Sequence, residues 1–118
     1  MAEQQKRTPR NTKPKTTQPV TDYGRIQPQA TELEEAVLGA LMIEKDAYSL
    51  VSEILRPESF YEHRHQLIYS AITDLAVNQK PVDILTVTEH LNTMGKLEEV
   101  GGPFYITQLS GKVASSAH

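Results

Sequence analysis

Apolar residues keep helical spacing from Thr31 onward and no sustained pattern before it. Thr31 is placed to cap a first turn, Glu34 three residues later to reach back to it, and an apolar series follows at once. Leu33, Ala36, Val37, Ala40 and Leu41 follow the i, i+3, i+4, i+7, i+8 spacing of one helix face, whereas Leu38 and Met42 project from the other side. A helix apolar nearly all round is either the centre of its domain or covered on one side from outside the chain. The pattern leaves both open, and the second makes Leu38 and Met42 a candidate protein interface.

Four further helices are expected. Asp46 suits the cap of a second, in which Ala47, Leu50, Val51, Ile54 and Leu55 repeat the spacing until Arg56-Pro57 stops it. A third is expected to begin near Tyr61 or Glu62 and run to about Val77. Tyr61, His65, Ile68, Ile72 and Leu75 stack along one of its sides, and Asn78 follows as its stop. Pro81-Val82-Asp83 leads into a fourth, capped by Asp83 or by Thr86, with Ile84, Val87, Leu91 and Met94 on its inner face and Gly95 at its end. Gly101-Gly102 marks a sharp bend, after which Pro103 suits the first turn of a last short helix carrying Phe104, Tyr105, Ile106 and Leu109. The expected fold is all-α, a domain of about five short helices over residues 29–118.

Residues 1–28 are different in kind. Four of the seven prolines lie there among Thr, Gln, Lys and Arg, with too few apolar side chains to offset the entropy of ordering, so a disordered arm is expected. Tyr23 and Ile26 are its only candidate anchors to the domain. Charge divides at the same place: six basic against two acidic residues give the arm +4, and six against thirteen give the remainder −7. The body therefore repels nucleic acid, and only the arm is suited to attract it. Lys6, Arg7, Arg10, Lys13 and Lys15 are its candidate phosphate contacts, with a solubilising tail as the competing reading, since Tyr23 alone is available to stack on bases. A helix-turn-helix in so acidic a body lacks the electrostatic footprint for DNA.

Several chemistries are excluded or unsupported. The chain has no cysteine, which removes disulfides, thiol nucleophiles and thiolate zinc sites. No glycine-rich loop ends in Gly-Lys-Ser/Thr: Gly95-Lys96 precedes Leu97, and Gly111-Lys112 precedes Val113. No cofactor or metal is expected in this chain, and no catalytic residue. His63 and His65 lie two apart on a helix, which sends them to different faces, and His65 reads as a hydrogen-bonded core histidine. Glu34-Glu35 and Glu98-Glu99 diverge too far around a helix to flank one substrate atom. For Glu32, Glu34 and Glu35 the favourable field of a helix amino terminus is the simpler explanation. The longest apolar run, from Ala36 to Ile43, is well short of the roughly 20 residues of a membrane span. With no signal-like start either, a cytoplasmic location is the default expectation.

Specific strings carry the reading further. Glu35-Ala36-Val37-Leu38-Gly39-Ala40-Leu41-Met42 resembles the first helix of the amino-terminal domain of DnaB-type bacterial replicative helicases. Phe60-Tyr61 with His65, Ile68-Tyr69 and Ala71-Ile72 is similar, as is Pro81-Val82-Asp83-Ile84-Leu85-Thr86-Val87 followed by Leu91. The run Met94-Gly95-Lys96-Leu97-Glu98-Glu99-Val100-Gly101-Gly102 with Tyr105-Ile106 and Leu109 completes the set, its Leu-Glu-Glu-Val-Gly-Gly portion being the most specific. The resemblance spans about residues 28–118 and leaves the arm outside it.

That resemblance implies a hexameric, ATP-driven helicase whose ATP and magnesium sites lie in an ATPase domain beyond this chain. The chain ends at His118, where the family usually has an Asn leading into a helical hairpin, so a continuation is expected. The domain itself is implied to be a non-catalytic collar that supports ring assembly and docks the carboxy-terminal domain of primase, with other helicase subunits and a helicase loader as further partners. A stand-alone helical nucleic-acid-binding module using the arm is the alternative. DNA binding that survives removal of residues 1–28 would favour it.

Overall fold

The first helix starts earlier than its capping signature suggests. The computed structural model describes residues 28–116, and α1 runs Pro28–Ile43. Proline suits such a start because its fixed φ is helical and its missing N–H would have had no partner there. Thr31 therefore lies within the helix rather than at its cap, and the Glu34 carboxylate is engaged elsewhere, so the expected capping box is not formed. The arm residues Lys6, Arg7, Arg10, Lys13, Lys15, Tyr23 and Ile26 lie outside the described residues, as does His118.

α1 is the central helix, packed against all four others: α2 (Ala47–Val51), α3 (His63–Val77), α4 (Ile84–Thr93) and α5 (Gly102–Ser116). Its buried side is Glu35, Leu38, Gly39, Leu41 and Met42, while Leu33 is 63% exposed. The two-sided apolar pattern is thus resolved within the chain: Leu38 and Met42 belong to the domain's own core and are not a free interface. What turns that side inward is α5. A Cβ at Gly39 would collide with the Leu109 carbonyl and stand 2.9 Å from Val113 Cγ2, so α1 and α5 cross with backbone almost on backbone.

The second helix is shorter than expected. α2 has five residues, and Leu50 and Ile54 stand 78% and 74% exposed instead of facing inward. Ala47, Tyr48, Val51 and Leu55 rest against the core. After Val51 the chain tightens, with Ile54 N–H donating to the Val51 carbonyl, and the Leu55 carbonyl accepts from the Tyr69 hydroxyl at 2.9 Å. Asp46 occupies the cap position but is left-handed, with φ 67° and no side-chain cap; the Ser49 hydroxyl donates to its carbonyl instead.

The second half follows its sequence more closely. A single 3-10 turn at Pro57–Ser59 leads to α3, whose His65, Ile68, Tyr69, Ala71, Ile72 and Leu75 are buried, with Tyr61 outside the helix and exposed. Asn78 ends it. Asp83 caps α4 through a reciprocal pair: Thr86 N–H donates to Asp83 Oδ1 and Asp83 N–H to the Thr86 hydroxyl. Val87 and Leu91 are fully buried, Ile84 and Met94 lie against the core, and Gly95 takes φ 73° at the end of the helix. Gly101 and Gly102, at φ 115° and 80°, make a bend closed to side chains with a Cβ. α5 then extends for fifteen residues, longer than expected, with Tyr105, Ile106 and Leu109 inward and Phe104 out in solvent.

Candidate functional site

The polar chemistry of the domain is concentrated where α1, α3 and α5 meet. Glu34 and Glu35 project from α1, His65 from the first turn of α3, and Tyr105 from the first turn of α5. His65 is fully buried, with Nδ1 2.7 Å from Glu34 Oε1 and Nε2 2.6 Å from the Tyr105 hydroxyl. Tyr105 donates in turn to Glu35 Oε2 at 2.8 Å, and Lys112 Nζ stands 3.4 Å from the other oxygen of that carboxylate. Glu34 Oε2 accepts from the Tyr61 N–H at 2.6 Å, fastening the segment that enters α3. Arg64 lies over the Tyr105 ring, 4.0 Å from its centre, while its Nε donates to Glu62 at 2.9 Å.

Buried polar groups are tolerable only when paired, and here each has a partner. Burial, followed by the hydrogen bond to Glu35 and that residue's charge, holds the Tyr105 phenol well above its usual range, so it remains a donor. For Glu62, burial works against ionisation but is outweighed by hydrogen bonds from Thr31 and Arg64 and by the charges of His65 and Arg64. Its carboxyl is held below the ordinary value.

Sequence reasoning placed His65 correctly as a hydrogen-bonded core residue but misread the glutamates. Glu34 and Glu35 diverge around α1, as adjacent helical residues must, yet they grip opposite ends of the same His65–Tyr105 pair. They serve tertiary contacts rather than the field at a helix end. No spacing signals this, because the partners are 31 and 70 residues apart in the chain. The arrangement clamps three helices and has no accessible nucleophile. Among the described residues no group of three metal-ligating side chains occurs, and no helix is long and apolar enough to cross a membrane.

Among the described residues, two features stand open to solvent. A cleft of about 650 Å³ lies between the α1–α2 turn and the α3–α4 loop, with Leu41, Met42, Ala47, Tyr48 and Val82 among its lining. Met42, almost wholly buried, contributes to that lining. The second feature is a set of large apolar side chains left outside: Leu33, Leu50, Ile54, Leu85 and Phe104.

Residues 26–118 match the family model described as the DnaB-like helicase N terminal domain. The chain belongs to that family. A "Replicative DNA helicase DnaB" of Rhodothermus marinus is 50% identical over 95 residues, 80% of this chain and 10% of that protein. The "Replicative DNA helicase DnaC" of Bacillus subtilis strain 168 is 44% identical over 94 residues, again 80% of this chain and 21% of the relative. The crystal structure of the N-terminal domain of DnaB helicase from Mycobacterium tuberculosis superposes with a TM-score of 0.68 at 40% identity, over 70% of this chain and 58% of that one. The chain thus spans only a tenth to a fifth of these two full-length DnaB-family relatives. Its P-loop-free sequence corresponds to their amino-terminal domain.

Proposed function

We propose that this domain is a non-catalytic collar element of a hexameric replicative DNA helicase, which supports assembly of the ring and docks primase at the replication fork. The observation that carries this reading is the family match across the whole helical body, joined to relatives named as replicative helicases. The physical character of the domain agrees with it. The polar cluster is enclosed and fully paired, whereas Leu50, Ile54, Leu85 and Phe104 offer apolar surface that the fold leaves uncovered. On this reading ATP and magnesium bind in an ATPase domain outside the chain. The domain acts by holding partners, namely neighbouring subunits, the carboxy-terminal domain of primase and a helicase loader. The basic arm adds at most weak, salt-dependent DNA contact.

The test is a calorimetric titration with the carboxy-terminal domain of primase from the same organism at moderate salt. Saturable binding is expected. Absence of binding both to this chain and to the longer protein that contains it would overturn the primase role.

A further inference from the structure

Three links join four side chains in a row: Glu34 to His65, His65 to Tyr105, and Tyr105 to Glu35. Each link needs one hydrogen. The two ends are carboxylates, and both are placed to be ionised: Glu34 accepts from the Tyr61 N–H, and Glu35 lies beside the Lys112 ammonium. Ionised carboxylates only accept, so all three hydrogens must come from the two middle members. Tyr105 supplies one, which it donates to Glu35. His65 must supply the other two, one from each ring nitrogen, and only the imidazolium carries both. A neutral ring would leave one link of a fully buried side chain without a hydrogen.

We propose that His65 is a buried imidazolium that clasps α5 and α1 to α3. The groups that face it are Glu34 and Glu35 from α1, Glu62 and Arg64 from the start of α3, and Tyr105 and Lys112 from α5. Three carboxylates against two cations leave one negative charge for the ring to balance, which agrees with the hydrogen count. The device is independent of what the domain docks.

The test is nitrogen-15 NMR of the imidazole rings in the intact 118-residue chain at neutral pH, with His65 assigned by its loss in His65→Gln or, should that variant not fold, through bonds. Two protonated ring nitrogens on His65 with an ionised Glu34 are expected. A single protonated nitrogen, or a proton residing on Glu34 or Glu35, would overturn the proposal.

Discussion

The seam between α1 and α5 and the short α2 segment are both built from apolar, helix-forming sequence, yet they hold the fold in different ways. At the seam, Gly39 brings backbone against backbone, Leu38, Ile106 and Leu109 are fully buried, and four polar side chains are paired across three helices. α2 has no buried residue, and its contribution is a few half-buried side chains plus a hydrogen bond from the Tyr48 hydroxyl to Thr73 at 3.3 Å. Apolar composition alone therefore says little about which segment is structural. The presence of a neighbour at close range does.

Substitutions can break that contrast most severely at Leu38. Leu38→Asp places an unpaired charge at a position with no solvent access and is expected to cost more than about 5 kcal/mol, comparable with the whole stability of such a domain. Circular dichroism melting should show loss of the cooperative transition.

The glycines give a matched pair. Gly39→Ala must push the Leu109 backbone away and is expected to destabilise by about 1–3 kcal/mol in urea unfolding. Gly111, also within a helix but with nothing near its missing Cβ, should gain about 0.5–1 kcal/mol on conversion to alanine. Equal effects at the two positions would disprove the close crossing.

Acidity and alkalinity should loosen the junction of α1, α3 and α5 from opposite sides. Glu62 is held below its ordinary 4.5, so the stability it contributes is present above that value and lost as pH falls through the folded-state value. Tyr105 is held above its ordinary 10.0, so its contribution is present below pH 10 and lost as pH rises beyond it. Melting temperature against pH, compared with Tyr105→Phe, should show the alkaline arm flattened in the variant.

The smallest effect on stability is expected in the segment of α2 and the turn after it. Leu50→Ser combined with Ile54→Ser, at positions 78% and 74% exposed, removes little buried surface and should change unfolding free energy by less than about 0.5 kcal/mol. A larger loss, measured by the same urea titration, would mean that α2 is as structural as the seam.

The sequence alone carried the helical class, the extent of α3, the end of α4, and the bend at Gly101-Gly102, because these depend on local backbone chemistry, and it narrowed the cap of α4 to Asp83 or Thr86, of which Asp83 holds the position. Four strings in family order also led from the sequence to the family. Local pattern misled at the start of α1, where Pro28 begins the helix ahead of Thr31, and it left open whether Leu38 and Met42 face the core or an outside partner, which the packing decides for the core. It misled again around α2, where spacing alone would bury Leu50 and Ile54 although both stand mostly in solvent. The clasp lay beyond any local signal. Periodicity tells which side chains share a face, but which face meets a partner is decided by how helices cross, and in this chain that was settled by one glycine and by polar groups up to 70 residues apart.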